Sequence, residues 1–147
     1  MEIIIDTREQ KPYKFEFAPL DVKVVKETLK TGDYSIKGFE DQIIVERKSL
    51  SDLFGTVGQG RKRFEKELER MSKIKHAFLV IEADWTQILR HPPTRSKLNP
   101  KSVFGSIIAW EQRFNIHIWT CPNRAFAERV TFRILERFHS DREKEIL

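Results

Sequence analysis

Residues 42–48 read Gln42-Ile43-Ile44-Val45-Glu46-Arg47-Lys48, an aliphatic run that ends abruptly in three charges. Such a run reads as a strand, and strand side chains alternate between faces. Glu46 and Lys48 therefore point one way and Arg47 the other. A carboxylate beside an ammonium at a strand end, with Asp33 in the segment just before, can bind a hard divalent cation and polarise a water. Mg²⁺ is satisfied by one or two carboxylates and keeps several waters. For Glu-x-Lys alone the ordinary alternative is an exposed ion pair on an edge strand. The neighbouring segments shift the balance.

Upstream, Glu2-Ile3-Ile4-Ile5 is a short buried strand that delivers Asp6-Thr7-Arg8-Glu9 at its end. Residues 12–20 hold Pro12 and Pro19 and read as irregular. Val22 to Val25 is a second strand, with Lys26 to Leu29 able to turn helical. Thr31-Gly32 signals a turn, and Asp33–Ile36 with Gln42–Lys48 form a hairpin.

Downstream the period changes. Ser49 to Phe54 opens a short helix that Gly55, Gly58 and Gly60 are expected to break. Arg61 to Lys73 is an amphipathic helix, with Phe64, Leu68 and Met71 at helical spacing. Ala77 to Ile81 is a buried strand, and Asp84 caps a short helix. Residues 91–99 form a polar, basic loop. Asn99-Pro100 starts a helix that runs to about Phe114. Ile116 to Trp119 is a strand, and a last helix covers roughly Asn123 to Phe138. The charged residues 139–147 are expected to fray. Strands come first and then alternate with helices, which predicts one α/β domain over residues 1–147 with a mixed sheet.

The chain has 147 residues, enough for one domain with a real core. It is 39% hydrophobic and 33% charged, with a formal charge of +5 and a pI of about 9.4. A basic balance points to an anionic partner, nucleic acid being the commonest. No apolar run approaches bilayer length, and the N-terminus lacks a leader pattern. An intracellular protein is expected, in cytoplasm or nucleoid if microbial, with no membrane contact. Cys121 is the single cysteine, which excludes an internal disulfide and fits a small core residue.

Four segments carry a resemblance: Asp6-Thr7-Arg8-Glu9, Gly32-Asp33-Tyr34, Val45-Glu46-Arg47-Lys48-Ser49 and Ser51-Asp52-Leu53. Together they resemble the nuclease domain of the XPF/Mus-type structure-specific endonucleases, whose signature is Gly-Asp, a gap, Glu-Arg-Lys, three residues, then Asp. Gly60-Arg61, Leu79-Val80-Ile81-Glu82 and Asn123-Arg124 are similar to further family features. The resemblance implies a restriction-endonuclease-like core of the PD-(D/E)xK type, a central mixed sheet flanked by helices. It implies a Mg²⁺ or Mn²⁺ site at Asp33 and Glu46. Lys48 would orient or activate the water and balance charge at the phosphate. Asp6 and Arg8 would complete the acidic pocket and hold it in place. Arg47 and Asp52 match family positions, with a supporting ion pair or a phosphate contact as their role. Where relatives often carry a Gln after the Gly-Arg pair, this chain reads Arg61-Lys62-Arg63-Phe64-Glu65.

Arg61, Lys62 and Arg63 beside the site, with Arg95, Lys97 and Lys101 on or next to the basic loop, are candidate phosphate contacts. The apolar residues of the last two long helices, Phe126, Val130, Phe132 and Ile134 among them, cover a wide arc. That suits either a central helix or a contact with another chain. Relatives commonly dimerise through this part, which implies a homodimer through the C-terminal helices. No tandem helix-hairpin-helix or helicase segment is present in the sequence, so a catalytic domain alone is expected. The leading function is a metal-dependent endonuclease on branched or flapped DNA. A catalytically silent DNA-binding scaffold and a restriction- or resolvase-type nuclease with the same core are the alternatives.

Overall fold

Three consecutive isoleucines, Ile3, Ile4 and Ile5, are buried, so the first strand is covered on both faces. The computed structural model describes residues 1–146 of the chain. Six strands form one sheet: β1 (Glu2–Asp6), β2 (Lys23–Glu27), β3 (Tyr34–Ile36), β4 (Ile43–Lys48), β5 (His76–Ile81) and β6 (His117–Thr120). Their order across the sheet is β2-β1-β3-β4-β5-β6. β1 pairs parallel with β2, and β4–β5 and β5–β6 are also parallel. β3 pairs antiparallel with both of its neighbours. Only β3 is therefore reversed, and the C-terminal ends of the other strands share one edge with its N-terminal end. An α/β sheet collects its functional groups at such an edge.

Five helices cover the sheet: α1 (Leu50–Val57), α2 (Arg61–Met71), α3 (Trp85–Arg90), α4 (Pro100–Phe114) and α5 (Arg124–Ile146). On one face Ile4, Ile44 and Leu79 pack with Leu53, Phe64, Leu68, Val103 and Trp110 from α1, α2 and α4. On the other Ile3, Val45 and Val80 pack with Phe132 and Leu135 of α5 and with Tyr13 and Phe15 of the irregular segment. The alternation inferred for β4 holds: Ile44 belongs to the first layer, Ile43 and Val45 to the second.

Local signals explain most boundaries. Asp84 and Gln87 form a reciprocal capping box. Asn99 accepts from the Lys101 N–H ahead of Pro100 in the first turn. Three expectations differ from the structure. Lys26 and Glu27 stay extended, because β2 pairs along its whole length with β1. Gly55 does not break α1, which runs on to Val57. Burial of Leu53, Phe54 and Val57 offsets the roughly 1 kcal/mol that an interior glycine costs. Of the charged tail expected to fray over 139–147, residues 139–146 are instead the last two turns of α5. Pairs at helical spacing, Arg137–Asp141 at 3.1 Å and Arg142–Glu145 at 2.8 Å, support it. Residue 147 lies outside the described residues.

Candidate active site

Gly32 holds the left-handed conformation, with φ of 80°, and a Cβ there would sit 2.2 Å from Ile44 Cγ1. Only glycine fits, and the turn it permits lays the chain tightly on β4. Asp33 follows at once, fixed by its N–H to the Val45 carbonyl (2.8 Å) and by its carbonyl to the Asp6 N–H (2.8 Å). Its Oδ2 accepts from the Arg47 N–H at 2.8 Å. This places the Asp33 carboxyl beside that of Glu46, and its charge raises the cost of ionising Glu46.

Both acids are shifted upward. Burial pushes Asp33 to about 6, with the negative charge of Glu9 adding to it. Burial also pushes Glu46 well above the carboxylate range, with the charges of Asp33 and Glu67 adding to it. Glu46 is buried and Asp33 partly so, and two neighbouring carboxylates there cannot both ionise cheaply. Lys48 Nζ lies 3.3 Å from Glu46 Oε2 and rests over the Phe64 ring at 4.7 Å. The ammonium is thus held on the same face as Glu46, with a carboxylate below it and an aromatic wall beside it.

Behind the sheet, Arg47 enters a different environment. Its guanidinium bonds both oxygens of Glu9 (2.7 and 2.9 Å) and Oε1 of Glu82 (3.0 Å), and all three side chains are buried. Glu82 also accepts from Tyr13 Oη at 2.6 Å and from Arg124 Nη1 at 3.1 Å. Arg124 bonds the Lys11 carbonyl and stacks on Tyr13. Burial alone would raise Glu9, yet its bonds to Arg47 outweigh that and hold it below the usual range. Arg47 is therefore a buried brace between β4 and the exits of β1 and β5, with α5 joined through Arg124 on Glu82. Of the two roles the sequence allowed it, the ion pair is present in the structure.

Asp6 is likewise engaged. It accepts from Arg8 Nε (2.9 Å), Arg8 Nη2 (3.2 Å), the Arg8 N–H (3.2 Å) and the Leu29 N–H (2.8 Å). Burial raises it, but the Arg8 guanidinium and these N–H groups win and lower it. Arg8 reaches on to the Leu29 carbonyl at 2.6 Å. The pair ties the β1 exit to the segment after β2. Asp52 stands exposed in the first turn of α1, where its N–H meets Ser49 Oγ. The six cations proposed for phosphate contact part company. Arg63, Arg95 and Lys97 line a groove that opens at Lys48. Arg61 instead bonds Ser106 Oγ at 2.8 Å, lies 3.6 Å from Glu65 and covers Trp110, so it fastens α2 to α4. Lys62 and Lys101 are exposed outside that groove.

The fold has known counterparts. The family model described as "ERCC4 domain" matches residues 5–134. The chain belongs to the ERCC4 domain family. Two solved structures share its fold. One is XPF from Aeropyrum pernix, with a TM-score of 0.73 and 22% identity over 92% of this chain. The other is XPF from the same organism in complex with DNA, with a TM-score of 0.69 and 20% identity over 95%. This chain spans 60% and 66% of those two chains. The restriction-endonuclease-like class expected from the sequence is the fold observed. Comparison with the curated proteins gives no match.

In this ERCC4 domain four further residues bear on the site. Glu67 of α2 lines the groove at Lys48 and adds its charge to Asp33 and Glu46. Its position in the Phe64, Leu68, Met71 helix marks it as flanking the buried stripe, but nothing in the spacing tells which strand the stripe covers. Glu9, Glu82 and Arg124 stood within quoted motifs without a role, and only the sheet topology brings them to Arg47. Among the described residues no group of three or more His, Cys, Asp or Glu is arranged to hold a metal. The carboxylates that could hold a cation are the pair Asp33 and Glu46. Two hard carboxylates side by side suit a Mg²⁺- or Mn²⁺-sized cation completed by waters. No helix among the described residues is long and apolar enough to cross a membrane.

Proposed function

We propose that this ERCC4 domain is a divalent-metal-dependent DNA endonuclease that hydrolyses a phosphodiester bond at Asp33, Glu46 and Lys48. One observation carries the reading: the Asp33 carboxylate is fixed by the Arg47 N–H next to the buried Glu46, and the Lys48 ammonium lies 3.3 Å from Glu46 Oε2. A cation bound by Asp33 and Glu46 would supply an activated water and offset charge on the phosphate oxygens.

The protein's own groups do the rest. Asp33 is fixed by Arg47 N–H and Glu46 by β4, so neither must reorganise during the reaction. Lys48 places its positive charge toward the scissile phosphate and orients the attacking water. As the water oxygen bonds phosphorus, its proton leaves, the ester P–O bond breaks and the departing oxygen takes up a proton. Arg47, Glu9 and Glu82 hold β4 in register behind the site.

The same reading assigns branched or flapped DNA as substrate, Mg²⁺ or Mn²⁺ as cofactor and a second copy as partner. The partner surface is the outer side of α5 with β5 and β6. Trp119 and Phe126 are 46% and 50% exposed there, beside Phe78, Val130 and Ile134. Arg129, Arg133 and Arg137 stand with Asp141 and Glu145 on one surface, a mixture that a two-fold axis can pair against itself. The deciding experiment is cleavage of labelled flap, fork, four-way junction and plain duplex DNA, with Mg²⁺, with Mn²⁺ and with EDTA. Metal-dependent cutting that favours the branched forms is expected. Absence of cutting in every metal would leave the silent scaffold, and preference for plain duplex would favour the restriction-type nuclease.

A further inference from the structure

The groove that opens at Lys48 has one wall from α1, α2 and the turn between them and another from residues 93–98. It is open to solvent and offers about 1230 Å³. Pockets of roughly 300–1,000 Å³ take a drug-sized molecule, so this open groove has room for about two or three nucleotides of one strand. Its charges are four cations, Lys48, Arg63, Arg95 and Lys97, against two acids, Asp52 and Glu67. Among the described residues Arg63, Arg95 and Lys97 have no ion-pair partner, whereas Arg8, Arg47, Arg61 and Arg124 are each paired. Cations left unpaired along one channel are free to meet phosphates.

Gly55 is the second, independent observation. It sits inside α1, where glycine is unfavourable. Its backbone is helical, and a Cβ there would meet nothing within 4 Å. Neither conformation nor packing within the chain requires glycine at this position. Gly55 nevertheless lines the groove, and a missing side chain lets a ligand approach the helix backbone closely.

We propose that this groove holds a single DNA strand, the unpaired arm that continues from the phosphate at Lys48. The inference rests on the nuclease reading and specifies which part of a branched substrate the domain grips. Arg63 on one wall and Arg95 and Lys97 on the other hold the sugar-phosphate chain, and the strand passes over Gly55. No aromatic ring is exposed along the groove, Phe54 and Phe64 being buried. The grip is therefore on phosphates and indifferent to base sequence.

The test is fluorescence anisotropy in EDTA, with labelled oligo(dT) of fifteen nucleotides and a blunt duplex of the same length as probes. The variants are Gly55→Leu and the double variant Arg95→Gln/Lys97→Gln, with Gly55→Ala to establish that α1 folds with a Cβ there. Gly55→Ala is expected to raise Tm. The double variant should weaken oligo(dT) binding roughly tenfold and flatten its salt slope by about 1.4, at 0.7 per phosphate. Gly55→Leu should weaken it similarly at unchanged salt slope, and duplex affinity should move less than threefold in both. Unchanged oligo(dT) affinity, or equal losses on duplex, would overturn the inference. Because no cutting is required, failure here leaves the nuclease reading standing, and a protein that binds the strand but never cuts would overturn only that reading.

Discussion

Asp33→Asn should make this protein more stable while removing its activity. In the metal-free fold the Asp33 carboxyl is pushed from 3.8 to about 6 by burial and by the charge of Glu9. Folding therefore takes up a proton between about pH 4 and pH 6. Stability linked to this group is highest below that window and falls as pH rises through it. At about 1.4 kcal/mol per unit, the site costs on the order of 2–3 kcal/mol at neutral pH. Asparagine keeps an oxygen for the Arg47 N–H and carries no charge, so it removes this cost and relieves Glu46 as well. For a chain of this length the gain corresponds to a Tm rise of roughly 4–12 °C. Thermal unfolding followed by circular dichroism in EDTA measures it at pH 7.5 and again at pH 4, where wild type and variant should nearly coincide. Addition of Mg²⁺ should narrow the difference at pH 7.5, because the wild-type pair then has its counter-charge. A variant less stable than wild type at pH 7.5, or a difference that ignores pH, would refute the reasoning.

Three further outcomes are expected. Lys48→Ala should lower single-turnover cleavage by about 10²–10³ with little change in DNA affinity; an equal loss in both would make Lys48 an ordinary phosphate contact. Arg47→Ala should cost about 3–5 kcal/mol, because it strands Glu9 as a buried, unpaired acid and leaves Glu82 with Arg124 alone, and a urea titration showing less than about 1 kcal/mol would contradict the brace. Phe126→Asp should convert a dimer to a folded monomer in light scattering, whereas Phe132→Glu should unfold the chain, since Phe132 packs against Phe15 and Phe17 inside the core.

The hairpin with Asp33 at its start, Glu46 and Lys48 was legible because every signal for it is local. Gly32 permits one turn, alternation on β4 sorts three charges onto two faces, and Asn99-Pro100 or Asp84 announce helices within a few residues. The rest depended on assembly. Glu67 meets Asp33 and Glu46 only because the buried stripe of α2 lands on the Ile44 face. Glu82 and Arg124 are 42 residues apart, and no periodicity joins them. Arg61 and Arg63 are alike in sequence, yet two positions on a helix turn one toward α4 and the other toward the groove. On α5, a wide apolar arc marks Phe126 and Phe132 equally; packing against the irregular 13–17 segment buries one and leaves the other exposed. Residues 139–146 read as a polar tail because their support comes from pairs one turn apart and from Phe39 against His139.

Glu46→Gln is nearly isosteric, stays on β4 and removes one member of the buried carboxyl pair. Cleavage of a labelled flap duplex in Mg²⁺ by wild type and by this variant, with binding measured in parallel in Ca²⁺, tests the assignment of the site most directly. The account predicts that the wild type cuts and that Glu46→Gln binds the same DNA without cutting it. Cutting by Glu46→Gln at the wild-type rate would contradict it.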